Sequence, residues 1–148
     1  MSEEEGSEIL ANVSCVAMRG RGLLITGDPG SGKSSLALAL LDRGATLVGD
    51  DGVTLHDDDG KIVASPPPNT AGLIEIRNVG LLEVPTGSAP IAIIINLTED
   101  AERLPLGATE ALLLGFPVPQ VDLYPHTPAL PLRAEAALEI HGQNFDTE

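Results

Sequence analysis

The chain has 148 residues, of which 43% are hydrophobic and only 2% aromatic, and it carries a net charge of −14. That apolar content excludes a disordered acidic tail and supports one domain with a core of Leu, Ile, Val and Ala. Eight basic residues against 22 acidic ones cannot form a stripe that tracks nucleic-acid phosphates, and they disfavour adsorption to an anionic membrane.

Cys15 is the one cysteine, so an internal disulfide is excluded and a reducing cytoplasm suits the chain. Its neighbours Val13 and Val16 mark it as a buried small hydrophobe rather than a nucleophile. The first eight residues are acidic and polar, with no signal peptide visible. No apolar run reaches the ~18 residues a membrane span needs. The expectation is a soluble cytoplasmic protein.

Taken in order, residues 1–8 read as a frayed acidic tail. Ile9 to Met18 has the β-branched and apolar character of a first strand. Arg19-Gly20-Arg21-Gly22 turns the chain into the apolar run Gly22-Leu23-Leu24-Ile25-Thr26. Gly27-Asp28-Pro29-Gly30-Ser31-Gly32-Lys33-Ser34 follows, and then the helix formers Ser35 to Leu41. That helix is expected to end near Asp42-Arg43-Gly44, with Gly44 just past its last turn. Ala45 to Gly49 is a short strand ending in Asp50-Asp51. Val53 to His56 and Ile62 to Ala64 flank an Asp-Gly turn and predict a hairpin. Pro66-Pro67-Pro68 closes it with a stiff stretch. Gly72 to Arg77 and Leu81 to Val84 read as strands, with Asn78-Val79-Gly80 between them. Ile91 to Leu97 is uninterrupted and β-branched, as expected of a central strand buried on both faces. Short strands around Ala111–Leu114 and Val118–Leu123 and a helix over Leu130–Ile140 complete the domain, residues 9–142, and 143–148 read as a flexible tail. About eight strands and two helices suit a mixed sheet around one helix better than a regular βαβ alternation.

The segment from Gly27 to Ser34 has the G-x-x-x-x-G-K-S spacing of a phosphate-binding P-loop, and its strand and helix flanks supply the required context. Gly27, Gly30 and Gly32 let the backbone N–H groups of Asp28, Ser31 and their neighbours close around an anion, with Pro29 stiffening the turn. The start of the helix, at Lys33, Ser34 and Ser35, adds its partial positive charge. Lys33 reaches β- and γ-phosphates, and Ser34 is suited to ligate Mg²⁺. The competing reading is a glycine-rich turn that merely precedes a lysine. Phosphoryl transfer also needs carboxylates. Asp50-Asp51, at a strand end 17 residues beyond Lys33, is returned to the phosphate edge by a strand–helix–strand unit. An isolated acidic pair is otherwise a solvated turn.

The runs Gly22–Ser34, Leu47-Val48-Gly49-Asp50-Asp51 and Ile74-Glu75-Ile76-Arg77-Asn78-Val79-Gly80 together resemble the bacterial HPr kinase/phosphorylases, in their catalytic domain. Order and spacing match over roughly residues 9–140, and the chain reads as the short form consisting of that domain only. The resemblance implies an α/β P-loop kinase core of the HPr kinase/phosphoenolpyruvate carboxykinase-like type, with a mixed sheet, one P-loop helix and a C-terminal helix. It implies a kinase that uses ATP, or pyrophosphate, with Mg²⁺ to phosphorylate a serine of HPr, a carrier of the sugar phosphotransferase system, and so regulates carbohydrate metabolism. It also implies the reverse phosphorolysis. Carried over, Asp50 is the general base and Asp51 supports it or the metal. Glu75 joins Ser34 at Mg²⁺, and Arg77 faces the transferred phosphate or the protein substrate. The competing reading of Glu75 and Arg77 is a surface ion pair. The resemblance suggests an assembly of copies, whereas the composition fits an acidic monomer as well.

Two departures stand out. Asn12 occupies the position where this family is expected to carry a histidine, and it cannot hold a proton at neutral pH. Arg77-Asn78-Val79-Gly80 replaces the family's Arg-Gly-Leu-Gly. In the C-terminal part, His126 and Arg133 are the candidates for touching phosphate or partner, against a plain solvated role for each. Two further readings stay open: a nucleotide-binding regulatory module without transfer chemistry, and a small-molecule kinase, for which few residues remain to build a lid.

Overall fold

In the computed structural model, which describes residues 7–68, 71–105 and 107–145, short β-branched runs punctuated by glycine give a strand-rich chain. Its elements are β1 (Ser7–Ala11), β2 (Ser14–Met18), β3 (Arg21–Gly27), α1 (Lys33–Asp42), β4 (Thr46–Gly49), β5 (Gly52–Asp58), β6 (Lys61–Ser65), β7 (Leu73–Ile76), β8 (Gly80–Glu83), β9 (Ala89–Leu97), β10 (Thr109–Leu113), β11 (Phe116–Leu123) and α2 (Leu130–His141). The expected single strand over Ile9–Met18 is two. Asn12 takes a left-handed φ of 63°, which breaks the ladder and sends β1 to β5 and β2 to β3.

The central strand is β9, as its unbroken apolar run predicts. One edge pairs in parallel with β3, from Leu23 opposite Ile93 to Gly27 opposite Leu97. The other edge is shared: β6 takes it antiparallel at Ala89 and Pro90, and β11 takes it in parallel from Ile94 to Leu97. The main path runs β1-β5-β6-β9-β3-β2-β4, with β10 attached to β11. Both faces of β9 are covered. Leu23, Ile25, Ile93 and Ile95 pack with Leu36, Ala37 and Leu40 of α1 and with Ala134 and Leu138 of α2. On the opposite face, Leu24 and Ile94 pack with Cys15, Val53, Leu55 and Ile62, so the sheet curls until β5 and β6 lie against β4. Each fully buried aliphatic side chain contributes about 1.5–3 kcal/mol. Trimming Ile95, fully buried between the two helices and the sheet, to Ala would cost about 2–5 kcal/mol.

Local chemistry ends the elements where expected. Gly44 (φ 104°) closes α1, with Ala45 N donating to Leu40 O and Gly44 N to Leu41 O, the paired bonds of a Schellman cap. Asp59 and Gly60 both take positive φ at the tip of the β5–β6 hairpin. The tails differ from expectation. Of the proposed N-terminal tail, residues 1–6 lie outside the described residues, whereas Ser7 and Glu8 pair with His56 and Leu55. Of the proposed tail 143–148, residues 146–148 also lie outside them. Gln143 is tied down, its N–H donating to Ala92 O and its carbonyl accepting from Arg21, and Phe145 packs on the core. Among the described residues, no helix is long and apolar enough to cross a membrane.

Candidate active site

The P-loop leaves β3 at Gly27 and enters α1 at Lys33. Gly27 adopts φ 152°, and a Cβ there would lie 2.6 Å from Ser31 Oγ and 3.1 Å from Leu97 O, so this corner admits only glycine. Gly32, the residue before α1, is left-handed at φ 104°. The first N–H groups of α1 lack intrahelical acceptors and open onto the loop, together with the helix's positive end. Lys33 Nζ donates to the carbonyls of Gly27 and Asp28, at 2.9 and 3.1 Å, which leaves a third N–H for an anionic oxygen.

The end of β4 brings the acidic pair to this loop. Asp50 is 8% exposed. Its Oδ1 accepts from Ser34 Oγ at 2.6 Å and from Ser14 Oγ at 2.8 Å, and its Oδ2 from the Glu75 N–H at 3.1 Å. These are charge-assisted bonds, the strong kind. They fasten the P-loop helix, β2 and β7 to one carboxylate. Ser14 escaped the sequence reading. Its only signal is a small hydroxyl in the apolar run Val13–Ala17 that falls, once β2 and β4 pair, beside the end of β4.

Asp51 follows a different course. It is exposed, takes φ 66°, and its carbonyl accepts from the N–H of Asn12. The two left-handed residues face each other just past the Ala11–Gly52 end of the β1–β5 ladder. Asp51, Asn12, Lys33, Ser34, Glu75 and Arg77 line one cleft of about 350 Å³ with the loop as its floor. Arg77 begins the three-residue turn between β7 and β8, and among the described residues no ion pair joins it to Glu75. Asp50 thus sits behind Ser34, and Asp51 at the open mouth.

The donor set suits Mg²⁺. The Ser34 hydroxyl donates its hydrogen bond to Asp50, which leaves the oxygen's lone pairs free for a cation. Among the described residues no three of His, Cys, Asp and Glu form a ready-made metal cage. Hard oxygens from one or two side chains, completed by substrate phosphates, are what Mg²⁺ takes. On the other flank of the loop, His126 lines a second cleft and Arg133 lies exposed on α2, outside both clefts. Cys15 is fully buried, and burial pushes its thiol pKa up, as expected of an inert core residue.

Fold and site together define an α/β protein with a glycine-rich loop facing a carboxylate-lined cleft. Residues 6–127 match the family model of the HPr Serine kinase C-terminal domain, and the chain belongs to that family. It is 36% identical over 121 residues to an HPr kinase/phosphorylase of Clostridium tetani, covering 73% of this chain and 40% of that protein. It is 37% identical over 122 residues to one of Lacticaseibacillus casei, covering 73% and 38%. The chain therefore spans about 40% of the length of the curated relatives it matches. The solved structure of the Hpr(Ser) kinase/phosphatase from Coxiella burnetii superposes with a TM-score of 0.77 at 30% identity over 90% of each chain. The expected family and its α/β fold, with a mixed sheet and two helices, are borne out.

Proposed function

We propose that the chain is an ATP- and Mg²⁺-dependent kinase that phosphorylates a serine of an HPr-like carrier protein and so regulates carbohydrate use. One observation carries the reading: Ser34 of the P-loop is hydrogen-bonded to Asp50 at the edge of a cleft that Lys33, Asp51, Glu75 and Arg77 also line. Ser34, backed by Asp50 and with Glu75 nearby, would hold Mg²⁺. Bound there, the ion would supply positive charge against the phosphate oxygens. The loop N–H groups and Lys33 orient the phosphates, and Arg77 meets the charge that spreads over the transferred phosphoryl group.

The division of labour between the two aspartates is better supported in the reverse of the sequence expectation. Asp50 is buried and engaged by three donors, so it suits a positioning role behind Ser34. Asp51, at the mouth, has room to accept the proton of the incoming serine. A loose transition state asks little base strength of it. Asn12 bonds to the backbone of Asp51 and offers no titratable group, which favours the forward kinase direction over phosphorolysis.

That same Asn12 favours a second reading, a nucleotide-binding module without efficient transfer. Incubation with γ-labelled ATP, Mg²⁺ and an HPr carrier separates the two. The kinase labels one serine of the carrier, whereas a protein that binds ATP and never labels it is the module. Repeating the assay with labelled pyrophosphate tests the alternative donor.

A further inference from the structure

The P-loop has a second cleft on the flank away from the acidic pair. It arises from sheet register. The parallel strands β3, β9 and β11 end flush, Gly27 opposite Leu97 and Leu97 opposite Leu123, and the Thr98 N–H donates to Leu123 O. The loops leaving the three carboxyl ends therefore stand side by side, where open α/β sheets bind ligands. They enclose about 370 Å³, within the range of small-molecule sites.

Pro29 and Gly30 line both clefts. A phosphate chain whose terminal group lies at Ser34 and Asp51 thus directs its other end over the loop into this second space. The walls there are unlike the first. Asp28, Glu99 and Asp100 stand against a single imidazole, His126, so the cleft repels further phosphate and suits an uncharged group rich in hydroxyls and N–H donors. Glu99 Oε2 lies 2.7 Å from His126 Nε2, and the Tyr124 ring meets the imidazole edge-on at 5.3 Å, so the flat ring is braced from two sides. Ser31 Oγ, which borders the cleft, is shielded from solvent and has no hydrogen-bond partner among the described residues. It is an orphan polar atom of the kind a ligand satisfies.

Resting on the proposed nucleotide-dependent function, we propose that this cleft is a nucleoside subsite. The base stacks on His126, the ribose hydroxyls donate to Glu99 or Asp100, and the subsite sets the preference for a nucleoside triphosphate over a bare polyphosphate.

Binding of Mg·ATP and of Mg·tripolyphosphate, the same charged chain without its nucleoside, tests the subsite in wild type, His126→Ala and Glu99→Gln. Both side chains are largely exposed, at 53% and 72%, so the folded chain tolerates the changes, and a thermal melt checks this. The expected result is a loss of ATP affinity of about tenfold or more in each variant, with tripolyphosphate affinity held within about twofold. Equal losses for both ligands, or unchanged ATP affinity, would overturn the subsite and leave the phosphate loop standing. Wild type that binds neither ligand would overturn the nucleotide reading and the subsite together.

Discussion

Asp50 offers the sharpest test of how this site is built. Asp50→Ala leaves three donors without their acceptor: Ser34 Oγ, Ser14 Oγ and the Glu75 N–H. Bonds to a charged acceptor contribute about 1.5–3 kcal/mol each, and an orphaned buried donor costs about 1–3 kcal/mol. Ser34 and Glu75 border the open cleft and regain water, whereas Ser14 is 1% exposed and does not. Relief of the buried charge offsets part of the loss, so the net cost comes to about 3 kcal/mol. In a domain of this size that lowers Tm by about 6–12 °C. Asp50→Asn keeps one acceptor oxygen and should cost about half as much. Urea unfolding measures both. Ser14→Ala supplies the cycle: it should cost about 1–2 kcal/mol in the wild-type background and close to nothing alongside Asp50→Ala. Additive losses, or an Asp50→Ala cost below about 0.5 kcal/mol, would refute the idea that this carboxylate fastens the P-loop helix to β2 and β7.

Two other outcomes follow from the same chemistry. Burial raises the Cys15 thiol pKa above the ordinary value of 9.0, so the unfolded state gives up a proton that the folded state keeps. Stability is then whole well below pH 9 and falls as pH rises past it, by about 1 kcal/mol more in wild type than in Cys15→Ala between pH 8 and 10; identical alkaline profiles would count against it. Ser34→Ala should weaken ATP binding about tenfold or more when Mg²⁺ is present, yet match wild type in excess chelator; a chelator-insensitive deficit in calorimetry would remove Ser34 from the metal.

What the sequence revealed was what short-range chemistry decides. The glycine spacing of the P-loop, the Asp59-Gly60 hairpin tip, the Gly44 cap and the apolar run of β9 each fix a local conformation, and each appears where expected. The remainder depends on contacts between distant segments. The break at Asn12 forms where its N–H meets Asp51 O across 39 residues of chain, so an apolar and β-branched run reads as one strand. Burial of Asp50 and recruitment of Ser14 depend on β2 pairing with β4. Gln143 reads as tail because nothing nearby in sequence signals that Arg21 and Ala92 hold it. Asp50, Asp51 and Glu75 all lie beside the loop; which one hides and which one faces the mouth is a matter of tertiary packing alone.

Single-turnover transfer from Mg·ATP to the carrier serine by Asp51→Asn, with ATP affinity measured in parallel, bears most directly on the proposed chemistry. Asp51→Asn should bind ATP within about threefold of wild type and transfer phosphate about 10²–10⁴-fold more slowly. Transfer at the wild-type rate by Asp51→Asn would contradict the account and return the proton to another group.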